Sequence, residues 1–90
     1  MMQPPITQLR PGPNYTLHLT YATGERKIFD VTPYIRGSWY GKLRDIAYFK
    51  TVRPIDGGYG VEWPEGQDIA PDDLYRNSVS VYDSIHIVSD

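Results

Sequence analysis

There is no cysteine in the chain, so disulfides, thiolate metal centres and cysteine nucleophiles are all excluded. A reducing, cytoplasmic compartment is the expected setting. No apolar run approaches the roughly 20 residues that a membrane-spanning helix needs. The opening Met1-Met2-Gln3-Pro4-Pro5 has neither the basic nor the apolar region of a secretory signal. No membrane partner is expected. An excess of either charge is also missing: nine basic and eleven acidic residues leave a formal charge of −2, scattered along the chain. Broad binding to a nucleic-acid backbone needs a basic face and is therefore disfavoured. Histidine is scarce: His18 and His86 are far apart, and neither belongs to a ligand-spaced cluster. No serine stands in a glycine-flanked elbow. No cofactor is expected.

Tyrosine, glycine and proline are plentiful, with eight of each, and two tryptophans add to the aromatic content. Rings with one polar end give a small core much apolar area, and they equally furnish an interface. Ninety residues form a single core of modest margin. The reading is a loose N-terminus over residues 1–5 and one α+β domain over 6–90. Its expected architecture is a small antiparallel sheet of β-hairpins with short helices packed on one face.

The densest stretch runs from Trp63 to Tyr75. Trp63 closes an apolar run, and Pro64 removes a ladder donor and ends the strand. Glu65-Gly66 turns the chain. Pro71 suits the first helical position, and Asp72 and Asp73 suit the positive end of the helix dipole. Asn77 reads as a left-handed stop.

Upstream, Ile6 to Arg10 reads as a short strand halted by Pro11-Gly12-Pro13-Asn14. Tyr15 to Tyr21 alternates cleanly, with Tyr15, Leu17, Leu19 and Tyr21 on one face. Ala22-Thr23-Gly24 reverses the chain, and Glu25 to Val31 returns with Phe29 and Val31 inward. Thr32 is the expected cap of a short helix ended by Gly37, and Asp45 caps a second through Ile46 to Lys50. Ile46 and Phe49 are both expected in the core, with Tyr15, Leu17, Leu19, Phe29, Val61, Trp63 and Leu74. Thr51 to Ile55 reads as an edge strand because of Pro54, which leaves dimerisation by strand pairing open. Gly57-Gly58-Tyr59-Gly60 joins strands, opens no helix and precedes no lysine, so it is a turn and no phosphate loop. The tail from Ser78 to Val88 reads as a strand interrupted at Asp83-Ser84.

Glu65, Asp68, Asp72 and Asp73 resemble an acidic patch, but their spacing matches no calcium loop, so no metal is expected. The carboxylates are read as serving nearby backbone N–H groups. The candidate interaction surface consists of Trp39, Tyr40, Tyr59, Trp63, Asp68 and Tyr75. Trp39-Tyr40 and Tyr59 adjoin glycines in predicted loops, where a binding role competes best with plain packing.

Laid out in this order, the chain resembles the bacterial domain-of-unknown-function family 2442. The resemblance rests on Tyr15-x-Leu17-x-Leu19-x-Tyr21, Gly24-Glu25, Ile28-Phe29-Asp30-Val31, Pro33-Tyr34, Leu43-x-Asp45 with Phe49, and above all Trp63-Pro64-x-Gly66-x-Asp68-Ile69-Ala70-Pro71-Asp72 with Leu74-Tyr75. It implies a small α+β fold, in some members followed by a helix-turn-helix domain for which this chain is too short. It also implies a protein partner encoded by a neighbouring gene, in a toxin–antitoxin-like arrangement. It carries over no catalytic residue. The leading expectation is a non-enzymatic protein-interaction or regulatory module. The alternative is a small-ligand or nucleic-acid sensor using a groove near Trp63, Asp68 and Tyr75.

Overall fold

The computed structural model describes residues 3–81. Met1, Met2 and everything from Tyr82 onward, including His86 and most of the predicted tail strand, lie outside the described residues. Strand β1 (Ile6–Gly12) pairs antiparallel with β2 (Thr16–Tyr21), and β2 with β3 (Arg26–Asp30). The alternation of β2 reports its burial: Leu17, Leu19 and Tyr21 are inside, and Thr16, His18 and Thr20 are half-buried on the other face. Contrary to expectation, Pro11 does not stop β1. The strand continues past it, with Pro11 opposite Leu17, because β1 is an edge strand paired on one side only and tolerates a missing donor.

The reversal falls at Pro13–Tyr15, where Asn14 (φ 58°) and Tyr15 (φ 60°) are both left-handed. That conformation is costly for a tyrosine and persists only where surroundings over-determine it. Here the Tyr15 carbonyl accepts from the Val31 N–H, its hydroxyl donates to the Arg44 carbonyl, and its ring meets Phe49 edge-on at 5.3 Å.

A short 3-10 turn over Thr32–Tyr34 follows β3. Thr32 does not cap it: Asp30, two residues earlier, accepts from the Thr32 N–H at 3.0 Å and from its hydroxyl at 2.6 Å. Gly37 likewise ends nothing. It opens helix α1 (Gly37–Tyr40), so Trp39 and Tyr40 are helical and not in a loop. Asp45 caps α2 (Ile46–Phe49) as expected, accepting from the N–H groups of Ala47 and Tyr48. Phe49 is buried, but Ile46 is 58% exposed and is no core residue. The helix makes a single turn, so no second element covers its first residue.

Strands β4 (Arg53–Pro54), β5 (Val61–Glu62) and β6 (Asp68–Ile69) form a second sheet in that order, with β4 at the edge. Gly58, at φ +82°, lets the loop before β5 sit against β1, since a Cβ there would lie 2.4 Å from the Ile6 carbonyl oxygen. Helix α3 (Pro71–Asn77) starts where Pro71 predicts and buries Leu74. It ends without a left-handed Asn77: Ser78 is extended at φ −91°, and its hydroxyl donates to the Tyr75 carbonyl. The chain then enters β7 (Val79–Ser80), which pairs with β3 and completes a four-stranded sheet ordered β1-β2-β3-β7. Together the strands and short helices make a small antiparallel α+β fold.

One core joins the parts. It contains the expected Leu17, Leu19, Phe29, Phe49, Val61, Trp63 and Leu74, with Tyr21 and Val31 on the inward faces where the alternation puts them, and adds Ile6, Ile35, Leu43 and Ile69. Tyr15 packs against it only in part.

Candidate functional site

The turn between β5 and β6 and helix α1 form one surface, assembled from residues far apart in sequence. The Gly66 N–H donates to the Trp63 carbonyl, and the Trp63 N–H to the Gln67 carbonyl, closing the Pro64–Gly66 turn. Gln67 then points inward and is fully buried. Its amide nitrogen donates to the Trp39 carbonyl at 3.0 Å, and its amide oxygen accepts from the Tyr48 hydroxyl at 2.7 Å. The Tyr48 hydroxyl in turn accepts from the Glu65 N–H at 2.9 Å. A buried amide is tolerated when its groups are paired in this way.

Trp39 stands above this network and is 46% exposed. Gly66 lies beneath it, so close that a Cβ at Gly66 would be 3.5 Å from the ring. Beside it Tyr40 donates its hydroxyl to the Asp68 carbonyl at 3.0 Å. Lys42 is ion-paired with Glu65, and its ammonium lies 5.5 Å from the centre of the Trp39 ring. The hydrogen bond to the Glu65 carboxylate, followed by that carboxylate's charge, raises the Lys42 pKa above its ordinary value. The result is an exposed indole on a fixed backbone, flanked by a cation and an anion.

Of the six sequence candidates, the fold gathers Trp39, Tyr40 and Asp68 on this ridge. Asp68 takes part through its carbonyl and sits in strand β6, not in the turn where it was expected. Trp63 is 1% exposed, with its indole N–H donating to the Phe49 carbonyl, so it supports the surface from inside and offers nothing to a partner. Tyr59 lies half-buried against Gly57 in the loop before β5. Tyr75 belongs to a different cluster, described below, so Trp63, Asp68 and Tyr75 do not frame a common groove. The expected side-chain bonds to backbone N–H groups are not made by Glu65, which pairs with Lys42, while Asp72 and Asp73 lie as expected in the first turn of α3, at the positive end of its dipole. Sequence reading missed Gln67, Tyr48 and Lys42. A glutamine in a Pro-Glu-Gly-Gln-Asp turn gives no local sign that it will be buried.

The second polar cluster lies between β2, β3 and α3. The Tyr75 hydroxyl donates to the Glu25 carboxylate at 2.6 Å, and this bond holds the Glu25 pKa below its ordinary value and the Tyr75 pKa above. The Lys27 ammonium is buried 4.1 Å above the Tyr75 ring and donates to the Tyr75 carbonyl at 2.7 Å. Tyr21 packs edge-on against Tyr75, and among the described residues its buried hydroxyl has no partner. Burial first, then the neighbouring Tyr75 and Glu25, pushes the Tyr21 pKa up to about 12.

Two expectations follow for Tyr21. Tyr21→Phe removes an unsatisfied polar atom and keeps the ring, so stability should hold or rise by about 1 kcal/mol in urea unfolding. The folded state favours the neutral phenol, so the associated stability is intact below pH 10 and declines as pH rises towards about 12. A melting series across that window should fall less steeply for Tyr21→Phe than for the unaltered chain.

Besides the ridge, a cleft of about 400 Å³ lies between the Pro11–Tyr15 reversal and α2, with Ile46 and Lys50 on its wall. Among the described residues, no three histidine or acidic side chains are grouped to hold a metal, and no helix is long and apolar enough to cross a membrane.

The fold and the ridge define a small α+β domain that presents a supported aromatic. Residues 6–80 match the family described as "Protein of unknown function (DUF2442)", and the chain belongs to that family. No curated protein and no solved structure matches it.

Proposed function

We propose that this chain is a non-enzymatic protein-interaction module whose contact centre is Trp39. The observation that carries the reading is a tryptophan, 46% exposed, on a backbone held by the buried Gln67 amide. Large exposed aromatics on rigid supports contribute heavily to interfaces, because little side-chain freedom is lost on binding. Lys42 and Glu65 at its side give such a contact a polar rim. The ridge's buried polar groups hold backbone in place, which is a structural employment and not acid–base chemistry. The partner expected is a small protein encoded beside this one, met in the cytoplasm.

Tyr40 is anchored to Asp68, so replacing it together with Trp39 would damage the fold, and Trp39→Ala alone is the clean test. It should weaken equilibrium binding to the neighbouring gene product by at least about tenfold, with a stability loss of about 1–2 kcal/mol that leaves the chain folded. Equal affinity of the variant and the unaltered chain would refute the assignment.

A further inference from the structure

The open face of the four-stranded sheet carries Arg10 and Arg26 in a chain whose formal charge is −2. Side chains alternate across each strand, and the register then decides which of them meet. Arg10 lies opposite His18, and His18 opposite Ile28; in the adjoining row Gln8 lies opposite Thr20, and Thr20 opposite Arg26. These six residues line a half-open depression of about 240 Å³, bordered by Val81, whose N–H donates to the Arg26 carbonyl.

Among the described residues, no carboxylate lines this depression. Asp30 shares the face but stands at the far end opposite Thr16, and its Oδ1 is engaged by Thr32. Glu25 is bonded to Tyr75. The ion pairs among the described residues join Lys42 to Glu65 and Arg53 to Glu62, so neither Arg10 nor Arg26 takes part in one. Arg10 and Arg26 stand on β1 and β3, one row apart with β2 between them, so their long side chains reach the depression from opposite sides and an anion seated over His18 and Thr20 lies between the two.

We propose that this depression binds a small phosphate-bearing anion through the guanidinium groups of Arg10 and Arg26. His18, Gln8 and Thr20 supply further hydrogen bonds at its floor. The planar guanidinium fork matches phosphate oxygens in pairs, which a scattered lysine surface does not. The space suits a phosphate with a small substituent and is short of what larger ligands occupy. None of the lining residues belongs to the Trp39 ridge, so the site stands or falls independently of the interaction reading.

The test is an amide-resolved NMR titration of the full chain with inorganic phosphate and with glycerol phosphate, at ionic strength balanced by chloride, and with acetate as a control. Shifts should concentrate at Gln8–Arg10, His18–Thr20 and Arg26–Ile28, with acetate binding at least about tenfold more weakly. Stronger binding of glycerol phosphate than of phosphate identifies a phosphomonoester ligand, and the reverse identifies free phosphate. Arg10→Gln and Arg26→Gln should each weaken binding roughly tenfold, and Arg53→Gln, on the other sheet, should leave it unchanged. Phosphate should also raise the melting temperature of the unaltered chain above that in equal chloride, a readout that needs no variant. Shifts spread over all basic residues, no thermal gain, or undiminished binding by Arg10→Gln and Arg26→Gln would each overturn the proposal.

Discussion

Replacing Trp63 with alanine is expected to lower stability by about 3–5 kcal/mol, the usual range when a fully buried large aromatic is truncated in a core. Trp63 is 1% exposed, packs its ring 5.9 Å from that of Phe49, and donates its indole N–H to the Phe49 carbonyl at 2.9 Å. The substitution therefore opens a cavity and also strips the α2 carbonyl of its partner. A domain of this size has a total stability of roughly 5–10 kcal/mol, so the loss removes about half of it. The melting temperature should fall by roughly 15–30 °C, followed by circular dichroism because half the tryptophan signal is gone. Trp63→Phe keeps most of the apolar volume and loses the indole donor, so its cost should be markedly smaller. A loss below about 1 kcal/mol for the alanine variant would mean that Trp63 does not join the helical segment to the second sheet.

The second large effect is expected at Gln67. Gln67→Leu roughly preserves size but removes the amide, which leaves the Trp39 carbonyl without its donor and the Tyr48 hydroxyl without its acceptor. Each orphaned buried group costs about 1–3 kcal/mol, which places the variant about 2–4 kcal/mol below the unaltered chain. The consequence reaches the surface. With its carbonyl released, α1 should hold Trp39 less firmly, so the fluorescence anisotropy decay of Trp39 should gain a fast component, read in a Trp63→Phe background. Partner binding should weaken with it even though Gln67 itself is buried. If stability falls while Trp39 remains as rigid as before, the amide is a core filler and does not support the ridge.

Both effects concern residues that the sequence exposes unequally. Trp63 announces itself: a large ring between an apolar run and a proline has to be placed somewhere dry. Gln67 does not, since its burial depends on meeting Trp39 and Tyr48, respectively 28 and 19 residues away. The same contrast runs through the fold. The alternation of β2, the Asp45 cap and the Pro71 helix start are written in neighbouring residues and hold in the fold, except that Tyr15, expected as the first residue of that strand, belongs to the left-handed reversal before it. Strand β6 is two residues long and too brief to show any period, so Asp68 read as a turn. Thr32-Pro33 carries a local cap pattern, but the N–H groups of Tyr34 and Ile35 donate to the Val31 and Thr32 carbonyls, and the Thr32 hydroxyl is turned to the Asp30 carboxylate instead. Ile46 was placed inside by its spacing from Phe49, yet a helix of one turn has no stripe to bury. On the candidate surface, Trp39 and Tyr40 were legible as aromatics beside glycine. Their union with Asp68 was not, because only the folded chain brings it about.

The reach of the Gln67 amide also bears on synthesis. Trp39 leaves the ribosome well before Gln67 and meets its support only after the whole intervening segment has emerged, at about 5–20 residues per second. Until then the indole is a loose apolar group with no defined setting. On the proposed interaction reading, the ridge takes its supported form only once Gln67 has emerged, so a chain cut before Gln67 should not bind a partner of the full ridge.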